Sequence, residues 1–167
     1  MALRWVQFPS RPPFAALVGK LVGYPIEKVC AMRLSTIHEN LARRFQQAPD
    51  TNDARRIFER VFRACARRIE SRWYALLRNE QFALRLAAGE LPESFDFYAL
   101  SAEMDAKYFD AEDQGRDDDS AAYFTLARLM STLSFAATAA DAAAFSEATY
   151  EAIMTLPNPK EDSAAFI

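Results

Sequence analysis

Six carboxylates crowd into residues 109–119, at Asp110, Glu112, Asp113, Asp117, Asp118 and Asp119, with Glu103 and Asp105 just upstream. At this density carboxylates can ligate a hard cation, or they can offer paired acceptors to lysine and arginine on another molecule. Asp110, Glu112, Gln114 and Gly115 fall at positions 1, 3, 5 and 6 of an EF-hand-like loop, but position 12 is Ala121, where such a loop needs a bidentate Glu. Recognition of a basic partner needs no such register. The segment therefore reads as a solvated acidic loop between two helices, with Glu103 and Asp105 exposed beside it.

The opposite charge sits earlier in the chain. Arginine recurs at 55, 56, 60, 63, 67, 68 and 72, and Arg56, Arg60, Arg63 and Arg67 fall on one helical face while Ile57, Val61, Cys65 and Ile69 fall on another. Residues 1–88 carry a net +9 and residues 89–167 a net −12, within an overall charge of −3. A basic helical face can follow phosphates or an acidic partner. An isoelectric point near 5.3 and the lack of aromatic residues on that face place direct nucleic-acid binding second. The two halves can also neutralise each other within the fold, and sequence leaves that open.

Catalytic patterns are missing. The single histidine, His38, precedes Glu39 but has no second histidine to complete a zinc-binding pair, and four glycines in the whole chain leave no phosphate-cradling loop. There is no nucleophile elbow and no Cys-x-x-Cys. A non-catalytic protein without cofactor or metal is expected.

The elements that must position these charges are helices. Ala, Leu, Arg, Glu and Phe dominate, which suits long helices, and 167 residues are enough for one self-sufficient core. The pattern predicts an all-α, single-domain bundle of about six helices, mostly antiparallel neighbours, spanning residues 1–167 with an irregular arm at 1–13 and a tail at 157–167. Pro25 opens a helix running to about residue 48, and Asp50 or Thr51 opens another that reaches residue 88 with a break near Asn79. A helix over 97–109 places Phe97, Leu100, Met104 and Tyr108 inward and exposes Glu103, Asp105 and Lys107. Asp119 or Ser120 starts the next, and Asp141 caps the last. Cys30 and Cys65 read as reduced core thiols. No stretch is long and apolar enough to span a bilayer, and no signal-peptide pattern is present, so a cytoplasmic location is expected.

In size and texture the chain resembles small all-helical bacterial immunity proteins of toxin-immunity systems. The resemblance covers mainly residues 120–156, through Ser120-Ala121-Ala122-Tyr123-Phe124 and Ala142-Ala143-Ala144-Phe145-Ser146-Glu147-Ala148, and the acidic segment before them. It implies a tight one-to-one complex with a cognate toxin, often a nuclease. The residues themselves lead to a similar expectation: an inhibitor that masks a basic active-site or substrate surface with Glu103, Asp105, Asp110, Glu112, Asp113, Asp117, Asp118 and Asp119. The alternative is a module that binds nucleic acid or an acidic partner through Arg56, Arg60, Arg63 and Arg67.

Overall fold

Short polar side chains start most of the helices. The computed structural model describes residues 33–92 and 95–166, and every regular element among them is helical. The irregular arm at 1–13, the opening of the second helix at Pro25, and Cys30 lie outside the described residues.

Residues 33–37 are helical, but the helix expected to continue to residue 48 stops at His38, whose extended backbone and Nδ1 acceptor, 3.3 Å from the Leu41 amide, start a new helix, α1 (Glu39–Gln46). His38 thus does the work of a helix cap, satisfying an amide left without an intrahelical partner. Asp50 caps α2 (Thr51–Ala66) through a 2.9 Å bond from the Asp53 amide. The long helix expected from here to residue 88 is divided twice. The Tyr74 hydroxyl donates 2.8 Å to the Ala66 carbonyl at the end of α2, so the chain turns there before the short α3 (Ser71–Tyr74). Asn79 then caps α4 (Glu80–Ala87), at the break the sequence predicts.

Gly89 ends α4 in a left-handed conformation at φ 74°, and the Cβ of any other residue there would lie 2.7 Å from Arg63 Cγ and 3.1 Å from the Arg63 backbone. Only glycine allows this close approach of the α4 end to α2.

Asp96 caps α5 (Phe97–Asp113), which packs most extensively against α6 (Asp117–Thr138). Asp141 caps α7 (Ala142–Ile153), and α7 packs against α1, α2 and α6. Its central place explains why Phe145, Ala148, Thr149, Ala152 and Ile153 are all buried. Phe58 of α2 touches the rings of Phe62 and Phe145, with centroids 5.9 and 5.7 Å away. Each such buried aromatic or aliphatic side chain contributes roughly 1.5–3 kcal/mol relative to exposure.

The expected tail at 157–167 is structured as far as it is described. Pro159 lies in the first turn of α8 (Pro159–Asp162), the Asn158 amide donates to Asp162 Oδ2 at 3.0 Å, and a 3-10 turn (Ser163–Phe166) follows. Ser163 is buried and Phe166 packs on the core, and Arg68 reaches this segment through the Asp162 carbonyl (2.9 Å) and the Phe166 ring. No helix among the described residues is long and apolar enough to cross a membrane.

Candidate functional site

The acidic segment is not an open loop. Asp110, Glu112 and Asp113 form the last turn of α5, Asp117, Asp118 and Asp119 form the first turn of α6, and only Gln114, Gly115 and Arg116 connect them. Gly115, at φ 65°, lets the Arg116 amide reach the Ala111 carbonyl (2.9 Å) and its own amide reach Glu112 (3.0 Å), the bonding of a Schellman closure. Backbone satisfaction thus holds the segment together despite the like charges.

Its two halves sit in opposite electrostatic settings. At the start of α6, exposed amides and the positive end of the helix dipole favour Asp117, Asp118 and Asp119. Asp118 also takes two bonds from Arg72, at 2.7 and 2.8 Å, and Asp119 pairs with Arg116. At the end of α5, Asp110, Glu112 and Asp113 stand at the negative pole, with no basic residue in that turn. None of the three has an ion-pair partner among the described residues. Glu112 has a neutral partner, the Tyr108 hydroxyl, and burial together with this carboxylate raises the Tyr108 pKa.

Glu103 and Asp105 lie upstream of this surface on α5. Both stand on the flanks of α5, Asp105 partly buried and the Glu103 side chain 40% exposed. Glu103 is held 2.6 Å from Lys107, whose hydrogen bond lowers the Glu103 pKa. Asp105 is partly buried, and that burial, opposed by Arg128 and reinforced by Glu151, raises its pKa. The outward stripe of α5 is instead Tyr98, Ala102, Ala106 and Phe109, all exposed. The expectation that α5 exposes Glu103, Asp105 and Lys107 is corrected accordingly: the flanks of a helix touching one neighbour are partly covered, and only the strip opposite the contact is open.

An interior charge network escapes the sequence reading. Glu147 and Glu151, one turn apart on α7, are 4% and 2% exposed. Arg33 pairs with both, meeting Glu151 at 3.1 Å, and Arg128 of α6 meets Glu151 at 3.1 Å. The two guanidiniums lie over the rings of Tyr150 (4.1 Å) and Phe124 (5.1 Å). Two glutamates at helical spacing in an otherwise uncharged helix are the available signal, but their partners come from distant elements.

The basic face is less uniform than its spacing suggests. Arg67 donates to the Ala88 carbonyl (3.1 Å) at the end of α4, Arg63 packs beneath Gly89, and Arg56 pairs with Asp53 at 3.3 Å. Arg60 makes no ion pair among the described residues. Arg44, Arg56 and Arg60 rim a shallow groove of about 230 Å³ floored by Leu41, Ile57 and Val61. The Cys65 thiol is buried and unpaired, and burial pushes its pKa up to about 12, the behaviour of a core residue. Among the described residues, no group of three or more His, Cys, Asp or Glu is placed to hold a metal ion.

No protein-family model matches the chain, and no curated protein or solved structure matches it.

Proposed function

We propose that the chain is a single helical bundle of mostly antiparallel neighbours that acts as a non-catalytic inhibitor of the immunity-protein kind, docking the acidic end of α5 onto a basic surface of a cognate protein. A toxin nuclease, whose substrate groove must be cationic, is the partner chemistry this surface suits best. The observation that carries the reading is the placement of Asp110, Glu112 and Asp113 at the negative pole of α5, without an ion-pair partner among the described residues. Such carboxylates oppose the helix that bears them, by about 0.3–1 kcal/mol each for an exposed site. A partner that supplies lysine or arginine offsets that cost, and the field of the cluster accelerates encounter. Asp117, also exposed, extends the same surface. Glu103, Asp105, Asp118 and Asp119 contribute less, since each is half-buried or already paired.

Capture of the partner from the native cell, followed by association kinetics, tests this. Joint Asp110→Lys and Asp113→Lys substitution should slow association at least about tenfold at low salt, and the loss should shrink as salt is raised. Unaltered association would remove the acidic end from the interface.

The groove between Arg44, Arg56 and Arg60 supports a second reading, docking of nucleic acid or an acidic partner, because among the described residues no carboxylate lines it. Saturable binding of a single-stranded oligonucleotide at low salt, weakened by Arg60→Gln, would favour it over the inhibitor reading.

A further inference from the structure

Three arginines surround a floor that carries no charge. Leu41, Ile57 and Val61 form the floor of the groove of about 230 Å³ between α1 and α2, with Arg44 contributed by α1 and Arg56 and Arg60 by α2. These two helices hold six arginines, Arg43, Arg44, Arg55, Arg56, Arg60 and Arg63, against three acids. All three acids are taken: Glu39 by Arg43 at 2.9 Å, Glu59 by Arg55 at 2.8 Å, and Asp53 by Arg56 at 3.3 Å. Arg44 and Arg60 are exposed and make no ion pair among the described residues. The groove thus has cationic capacity that its own helices leave unused.

We propose that it takes an acidic peptide segment of a partner protein, with one large apolar side chain seated on the floor and carboxylates on either side meeting Arg44 and Arg60, a proposal that rests on the groove reading above and narrows its occupant to one class. A groove of this volume falls below the roughly 300–1,000 Å³ of sites that enclose a whole small molecule, and it suits a single side chain of a larger partner. Arginine forks match carboxylates in a paired, planar geometry, and Arg56 and Arg60, four residues apart, are neighbours on the surface of α2.

The floor decides against nucleic acid. A phosphate backbone would engage the rim and leave the apolar floor uncovered, and Leu41, Ile57 and Val61 offer a base no ring on which to stack. Phe166 also lines the groove, but its ring already carries Arg68 at 4.8 Å. Charge decides against residues 1–32 of the same chain, whose Arg4, Arg11, Lys20 and Lys28 outnumber Glu27 and would meet the rim with like charge.

Isothermal titration calorimetry of the full chain in about 50 mM sodium chloride tests the proposal. The probes are the peptide Glu-Asp-Leu-Asp-Glu, its Glu-Asp-Ser-Asp-Glu counterpart, both acetylated and amidated, and a short oligothymidine. The leucine peptide should bind with Kd on the order of 100 µM, and the serine peptide at least about fivefold more weakly, because it lacks the apolar anchor. Arg44→Gln and Arg60→Gln should each raise Kd at least about threefold, as should about 500 mM salt. Arg78→Gln removes the same charge at an exposed position outside the groove and should leave Kd unchanged. Far-UV circular dichroism identical to that of the parent chain shows that the variants keep the fold. A leucine peptide that does not saturate below about 1 mM, binds no better than the serine peptide, or is indifferent to Arg44→Gln and Arg60→Gln would overturn the proposal. Oligothymidine bound through Arg60, with no binding of the peptide, would overturn it while the groove reading stands for nucleic acid. Binding of neither probe would remove both.

Discussion

Glu151 in the middle of α7 and Asp113 at the end of α5 are both acids on helices, yet the fold treats them in opposite ways. Glu151 is 2% exposed and lies between Arg33 and Arg128, each 3.1 Å away. Asp113 is exposed, faces the negative pole of its own helix and has no ion-pair partner among the described residues. The first is part of how α6, α7 and residue 33 are held in register; the second detracts from the stability of α5. An acid that supports the fold explains itself through the fold. One that opposes it needs another explanation, and an external cation supplies it.

The sharpest way to break this comparison is to remove the interior acid. Glu151→Ala leaves two guanidiniums without their shared carboxylate and should destabilise the chain by about 3 kcal/mol, since breaking a buried ion pair typically costs 3–5 kcal/mol and both arginines here are partly solvated. Urea denaturation followed by circular dichroism measures it. A loss below about 1 kcal/mol would mean that the network contributes little more than a surface pair.

The start of α6 provides the intermediate case. Asp118→Lys places a cation at the positive pole of a helix and removes both bonds from Arg72, so it should destabilise by about 1 kcal/mol. The same reversal at Asp113, only five residues earlier, should have the opposite sign. Thermal melts of the two variants in parallel would show whether position relative to the helix ends, rather than local charge density, governs the response.

Asp105 gives a smaller effect with a definite pH dependence. Its pKa is raised in the folded state, so folding favours the protonated form. Stability from this group therefore increases as pH falls through its raised folded pKa, and above that range the buried charge is a cost. Asp105→Asn should raise Tm slightly at neutral pH, and the advantage should fade as the medium is acidified. Glu103 runs the other way: its lowered pKa gives stability that is present above the ordinary glutamate range and is lost as pH falls through the folded value.

Much of this was legible in the sequence where a local signal decides the outcome. Asp50, Asn79 and Asp141 start helices because each carries an oxygen that can accept from an amide three residues on, and that chemistry is local. The predicted inward positions Val61 and Cys65 are buried within α2 because helical period sets them, whereas Ile69 is buried in the turn after α2, where the expected helix has already ended. The acidic segment reads as a loop in the sequence because density of charge suggests solvation, while the start of a helix is also where aspartates accumulate. His38 was harder still, because an imidazole is an uncommon cap and the apolar spacing continues across it. The Arg33, Arg128, Glu147 and Glu151 network depends on which helices become neighbours, and no spacing within one helix encodes that.

The most direct test of the account is a single pair of readings on the Asp110→Lys, Asp113→Lys double variant: thermal stability of the free chain, and association rate with the captured partner. Cations at the end of α5 should raise stability by about 1 kcal/mol while slowing association at least about tenfold. Unchanged or reduced stability, or association as fast as that of the parent chain, would contradict the claim that these carboxylates are held against the helix for the sake of a partner.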